Sequence, residues 1–162
     1  MKKIDTINED TFSHATQYAE AGVAVIPVWW LENGRCACND PQCARGNWGK
    51  HPILSNWPHK ATTDKAVIQR WAQRWPRAHI GILPPEGHTI IDVDPRNGGD
   101  LTLKKLLGTQ RVPRTPTQNS GGGGYHILFK GEPAGPLGKG IDVKRPGRGY
   151  VVAWPSMHIS GK

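Results

Sequence analysis

Asp92 and Asp94 stand two apart in "IDVD", at the end of an apolar run where carboxylates are out of place. A strand turns alternate side chains to opposite faces, so Ile91 and Val93 point one way and both aspartates the other. Carboxylates that close raise each other's pKa unless a cation lies between them, which suits a divalent-metal site. A strand running into a solvated turn, helped by the breakers from Pro95 to Gly99, accounts for the same residues. Asp142 repeats the pattern in "GKGIDVK", where Ile141 and Val143 alternate with Asp142 and Lys144. If the two strands pair, three carboxylates and a lysine converge, enough to hold two divalent ions and to meet a phosphate. A half-exposed strand with a solvated face explains Asp142 and Lys144 taken singly.

Between these acids lies "NSGGGGYHILFK", four glycines before a strand in which Tyr125, Ile127 and Phe129 share a face opposite His126 and Leu128. Glycine permits positive φ and close approach of a ligand to the backbone, and consecutive N–H groups can bind a phosphate. His126 would then reach the same ligand. A flexible hairpin turn followed by a structural strand histidine is the alternative. Upstream, "CACNDPQCARGNWGKHP" places Cys36, Cys38, Cys43 and His51 within 16 residues. Three thiolates and an imidazole suit tetrahedral zinc in a structural site, although the Cys-x-Cys-x4-Cys-x7-His spacing departs from the common paired knuckle, and reduced surface cysteines remain the other reading. A pinned loop would let Arg45, Trp48 and Lys50 follow a nucleic-acid strand through phosphate contacts and stacking, joined by Arg35 and Lys60. Trp29, Trp30 and Trp57 serve either that surface or the core.

The elements that must position these groups are legible from periodicity. Residues 8 to 21 predict a helix with Phe12, Ala15 and Ala19 on one face and Gly22 as its stop. A strand follows at "VAVIPVW". From Trp30 to Lys60 no period appears, so a long functional insertion is expected. "TTDKAVIQRWAQRWP" predicts a helix capped by Thr62 or Thr63, with Val67, Ile68, Trp71 and Trp75 on its core face and Pro76 beyond its end. Strands are expected near 79 to 83 and 88 to 93, a helix near 99 to 107 carrying Leu103, Leu106 and Leu107, and further strands near 124 to 130, 139 to 144 and 149 to 154. Strands mixed with three helices, not strictly alternating, indicate an α+β domain with a mainly antiparallel sheet flanked by helices.

Composition narrows the partners. The chain has 162 residues, which by length makes one domain with a real core and no second domain. Lys plus Arg is 21 against 13 acids, a net charge of +8 that favours a polyanion such as nucleic acid or nucleotide phosphate. No apolar run follows the first lysines and none approaches the roughly 20 residues that span a bilayer, so no membrane role and a soluble, cytoplasmic protein are expected. All three cysteines fall in one tight cluster, which suits metal better than a secreted disulfide framework. A monomer is the default for this size.

Taken in order, "IDVD", "NSGGGGYH" and "IDVKRPGRGYVVAWPSMHISG" resemble the three core motifs of the primase-polymerase (Prim-Pol) domains of the archaeo-eukaryotic primase superfamily, as in plasmid and phage replication proteins. "GVAVIPV", the cysteine cluster ending in "GKHP", and "ATTD" followed by "WAQRWPRAHIGI" resemble the N-terminal part of such domains. The likeness spans nearly the whole chain, and its strength lies in the co-linear set. It implies an archaeo-eukaryotic primase-like catalytic core over residues 1–162, with a zinc-stabilised loop at 30–60. The implied activity is template-directed nucleotidyl transfer, as a DNA primase, a DNA polymerase or both, on a single-stranded template and primer with dNTPs or NTPs. Asp92, Asp94 and Asp142 match the family's carboxylates for two Mg²⁺ or Mn²⁺ ions, and Ser120 and His126 match its nucleotide-binding motif. The amides of Gly121 and Gly122 would join them on the triphosphate, with Lys144 and Arg148 neutralising its charge. Many members carry Arg where Lys144 stands; the lysine keeps the charge but lacks the bidentate fork. Members usually continue past "SMHISG", often into a helicase, so an excised fragment and a compact form are both open. Two alternatives use part of the same features: a metal-dependent nuclease, and a non-catalytic zinc-containing single-strand-binding module.

Overall fold

A computed structural model describes residues 5–158 and residue 161, and the side chains from residue 11 onward. The chain falls into two compact units, one running up to Ile82 and including the segment from Val152, the other Leu83–Val151.

The first unit is built around α1 (Asp5–Glu20), β1 (Val25–Val28), the two-residue strands β2 (Leu31–Glu32) and β3 (Arg35–Cys36), α2 (Lys65–Arg74) and β4 (His79–Ile82). β1 pairs antiparallel with β4, Val25 opposite Ile82 and Val28 opposite His79. β4 is the middle strand, with β9 (Val151–Val152) on its other side. Phe12, Ala15 and Ala19 of α1 meet Ile68 and Trp71 of α2 and Val25 and Ile80 of the sheet, all buried, with Val67 and Trp75 packed at the margin. Burying each of the larger side chains contributes roughly 1.5–3 kcal/mol. α1 begins at Asp5, three residues ahead of the expected start. The cap of α2 is Asp64, not Thr62 or Thr63: its carboxylate accepts from the amides of Ala66 and Val67. Thr62 instead bridges to Val25 by main-chain bonds in both directions, and its hydroxyl receives the Asp64 amide.

The second unit is a four-stranded antiparallel sheet in the order β6-β7-β5-β8, from β5 (His88–Val93), β6 (Thr117–Asn119), β7 (Tyr125–Lys130) and β8 (Ile141–Lys144), with α3 (Gly99–Leu107) packed on β5 and β8. β5 and α3 lie where they are expected, near 88 to 93 and near 99 to 107. β6 was not expected; three polar-flanked residues carry too little pattern to announce a strand. The antiparallel arrangement is as predicted, but the strands divide into two sheets and a small β2–β3 hairpin. Ile91, Val93 and Ile127 are buried on one face of the β5–β7 pair, covered by Leu103, Val112 and Leu137 and flanked by Tyr125, Phe129, Ile141 and Val143. Leu101 and Leu106 of α3, by contrast, are exposed.

Two backbone approaches hold the polar ends of these strands. A Cβ at Gly99 would lie 2.2 Å from the Gly140 carbonyl oxygen, and the Asp94 amide donates to that same oxygen at 2.8 Å. A Cβ at Gly124 would lie 1.9 Å from the Val93 carbonyl oxygen, so the turn into β7 can press on the end of β5 only where no side chain exists. The Gly124→Ala variant is therefore expected to lose roughly 1–3 kcal/mol in urea unfolding, whereas Gly135→Ala in the same unit, with open space around its Cβ, should be neutral or slightly stabilising.

Candidate active site and metal centre

Register decides where the polar face of the second unit puts its chemistry. Across the sheet, Gln118 stands opposite His126, His126 opposite Asp92, and Asp92 opposite Asp142. Facing partners in adjacent strands project on the same side, so four polar side chains form one row on the face away from the Ile91–Val93–Ile127 core. The Gln118 amide nitrogen lies 2.7 Å from His126 Nδ1. With that nitrogen donating, the neutral ring carries its proton on Nε2. Nε2 faces Asp92 Oδ1 at 3.4 Å. Lys144, diagonal to Asp92, forms an ion pair with Asp142 and reaches Asp92 Oδ2 at 4.0 Å.

Asp94 lies just past the end of β5 and caps a single 3-10 turn, Pro95–Asn97. Its Oδ1 accepts from the Arg96 amide and Arg96 Nε, both at 3.0 Å; its Oδ2 accepts from Arg96 Nη2 at 3.1 Å and Asn97 Nδ2 at 2.9 Å. The Arg96 hydrogen bond, with its charge and the Asn97 bond, holds the Asp94 carboxyl below its ordinary range against a desolvation that pushes the other way. Lys144 does the same for Asp142, again against desolvation. Asp94 and Asp142 are thus each drawn to a cation, and Asp92, Asp94 and Asp142 do not close into a group whose ligand atoms all lie within 4.8 Å of one another. Their all-oxygen, anionic donor set suits Mg²⁺ or Mn²⁺.

The glycine loop is a tight turn. Ser120 Oγ accepts from the Gly124 amide at 3.1 Å and the Ser120 carbonyl from the Gly123 amide at 3.0 Å, so these two amides serve the turn itself. The Ser120 hydroxyl keeps its proton to donate. Gly121 and Gly122 lie at the tip, and the Arg96 guanidinium covers Gly122: Nη2 would be 2.8 Å from a Cβ placed there. Arg148 is exposed in the turn that follows β8. Arg96, Asn97 and Gln118 escaped the sequence reading. "DPRNGG" reads as breakers, although Asp followed by Pro is a capping arrangement that brings the next residues' amides, Arg96 among them, onto the carboxylate; Gln118 could have been found by folding the sequence symmetrically about Gly122.

In the first unit, Cys36, Cys38, Cys43 and His51 do come together, with all four ligand atoms within 4.8 Å of one another. They could hold a zinc ion. Cys36 Sγ lies 3.2 Å and Cys43 Sγ 3.5 Å from His51 Nε2, close to the roughly 3.5 Å that tetrahedral bonds of about 2.0–2.3 Å impose. The Trp30–Lys60 segment has no period because it is built from short pieces. β2 and β3 make a hairpin that delivers Cys36, and the Ala37 amide bonds the Trp30 carbonyl at 3.0 Å. His51 is brought in by the Trp29 amide on its carbonyl at 2.9 Å and by the Val28–Pro52 bridge. Trp48 donates its indole N–H to the Cys43 carbonyl at 3.0 Å, which ties it to the cluster; Arg45 is exposed. Buried His79 meets the Gly49 carbonyl at 3.1 Å. Charge is unevenly shared among the thiols. Desolvation raises Cys36, but hydrogen bonds from Gly49, Cys38 and Cys43 outweigh it and bring the thiol below its ordinary value. Cys43 is pushed up to about 12 by desolvation, by hydrogen bonding with Cys38 and by the charge on Cys36. Desolvation lowers His51, opposed by Asp40, which favours the neutral imidazole that ligates. Thiolates this close need a cation before all can ionise.

The profile described as "Bifunctional DNA primase/polymerase, N-terminal" (Prim-Pol) matches residues 15–162. No curated protein matches the chain. Among the described residues, no helix is long and apolar enough to cross a membrane.

Elemental analysis of the purified protein should give about one zinc per chain, and Cys36→Ser should lose it; a wild-type protein free of zinc would leave only reduced thiols. For Asp94 and Asp142 the folded pKa lies below the ordinary value of 3.8, so their stabilising contribution is present above that pH and lost as pH falls through the depressed values. Urea unfolding followed from pH 6 to pH 2 should show a shallower acid loss in the Asp94→Asn, Asp142→Asn double variant than in wild type.

Proposed function

The chain belongs to the Prim-Pol family, and from that premise we propose that it catalyses template-directed nucleotidyl transfer, as a DNA primase, a DNA polymerase or both, with the site on the polar face of the β6-β7-β5-β8 sheet. The observation that carries this reading is the row in which Asp92 faces His126 on one side and Asp142 on the other. A nuclease needs clustered acids but no triphosphate site; here the acids share their sheet face with a histidine and with the glycine turn that leads to it. Asp92, Asp94 and Asp142 would hold two Mg²⁺ or Mn²⁺ ions, which when bound supply Lewis acidity to the attacking 3′-hydroxyl, the α-phosphate and the departing pyrophosphate.

The protein's own groups orient the triphosphate. His126, its Nδ1 engaged by Gln118, would donate from Nε2, and Ser120 from its hydroxyl, to phosphate oxygens beside Gly121 and Gly122. Lys144 would exchange part of its attachment to Asp142 for the triphosphate, with Arg148 adding charge from the following turn. The cysteine–histidine cluster would take Zn²⁺ as a structural ion, pinning the loop from which Arg45, Trp48 and Lys50 would contact single-stranded DNA. The setting proposed with this activity is cytoplasmic replication of plasmid or phage DNA, as a monomer, alongside a helicase domain or protein.

Incubation with a single-stranded template, labelled primer, nucleotides and Mn²⁺ or Mg²⁺ tests the reading. Extension is expected, with product in the absence of primer adding priming. Asp92→Ala and Asp142→Ala should each lower the rate by roughly 10²–10³-fold or more, while His126→Ala should act mainly on the nucleotide KM. Shortening of the primer would make the protein a nuclease, and DNA binding that survives Asp92→Ala with no synthesis by wild type would make it a binding module.

A further inference from the structure

Asp94 is saturated. A carboxylate offers about four lone-pair positions, and all four donors on this one come from the next turn: the Arg96 amide, Nε and Nη2, and Asn97 Nδ2, between 2.9 and 3.1 Å. A divalent cation needs at least one of those positions, so a donor must leave before Asp94 can ligate. The main-chain bond belongs to the turn, whose amides also close on the Asp94 carbonyl. The guanidinium is the donor free to go: its side chain is 63% exposed and is anchored by nothing but Asp94 among the bonds drawn above. Its next neighbour is the tip of the glycine turn, at Gly122. A planar fork that fits a carboxylate also fits a phosphate.

Resting on the nucleotidyl-transfer reading, we propose that Arg96 is an exchangeable counter-ion. Its guanidinium holds Asp94 until a nucleotide arrives, then moves over Gly122 to the triphosphate and releases the carboxylate to the cation. Cation and nucleotide then bind with positive coupling, because each removes an obstacle to the other: the phosphate draws Arg96 away from Asp94, and the cation takes the place that Arg96 vacates. Lys144 differs in that its ammonium bridges two carboxylates, Asp142 and Asp92.

The test is Mn²⁺ binding, read as the loss of the free-ion signal by electron paramagnetic resonance, with and without a non-hydrolysable dNTP analogue. Wild type should bind Mn²⁺ about fivefold or more tightly once the analogue is present. Arg96→Gln should bind Mn²⁺ more tightly than wild type without the analogue, lose most of the gain on adding it, and bind the analogue more weakly. Arg96→Lys, which keeps the charge and the turn but not the fork, should fall between the two, and it guards against a folding defect in the first variant. Unchanged or weakened Mn²⁺ binding in both variants would make Arg96 a structural clasp, and a tighter site that still couples fully to the analogue would overturn the move to phosphate. Asp92→Ala separates the two readings: if it binds Mn²⁺ as wild type does, the acidic row is not the metal site and the functional reading falls; if it loses the ion while Arg96→Gln changes nothing, only the exchange falls.

Discussion

The register of β5 is the constraint on which the second unit depends. One strand serves two opposite demands, burying Ile91 and Val93 while presenting Asp92, and the period of two lets it meet both only in one alignment. A slip of one residue against β7 or β8 would turn the aspartate into the apolar layer and the valine out. The cost of misalignment is thus charged against hydrophobic burial, roughly 1.5–3 kcal/mol for each large side chain, and the polar row inherits its accuracy from the core beneath it. Gly124 and Gly140 extend the same control to the strand ends, where backbone meets backbone without an intervening Cβ.

Both clusters of potential ligands face one electrostatic problem, the crowding of like charge, and meet it differently. Among the carboxylates basic groups do the neutralising: Arg96 on Asp94 and Lys144 on Asp142, with Lys144 and His126 flanking Asp92. In the thiol cluster protons do the neutralising, with Cys43 holding its proton while Cys36 gives up its own more readily. The difference follows from chemistry. Carboxylates are ionised at neutral pH and require cations, whereas thiols titrate close enough to neutrality to be silenced by a proton. The carboxylates accordingly stand apart, while the three sulfurs and the imidazole lie close enough together that they could hold an ion.

Much of this was legible in the sequence where one residue's neighbours settle its fate. β5 and α3 lie where the sequence predicts them, near 88 to 93 and near 99 to 107. The pairing of the Asp92 and Asp142 strands could be stated only as a condition, since nothing local to either sequence encodes register between strands so far apart. The cysteine cluster is visible from residue type and spacing, while the path that closes it is not: two-residue strands and 3-10 turns generate no period. Asp64 caps α2, while Thr62 is tied by its main chain to Val25, a tertiary contact that the local sequence does not announce. Arg96 and Gln118 went unread for a related reason. Each acts through one specific partner, Asp94 or His126, and a lone polar residue in a turn or a short strand looks like solvation until that partner is placed.

The sheet also sets a timetable. β6 and β7 are joined by a five-residue turn, so their hairpin can form as a local event; β5 must find β7 across an interval of about 34 residues, and β8 must find β5 across about 50. Local pairings close first and distant ones last. Asp142 sits across the longer of these two intervals, on an edge strand of four residues with no neighbour on its outer side among the described residues. During synthesis on the ribosome, Asp92 and His126 emerge before Asp142, so the row across this sheet stays one residue short until β8 docks.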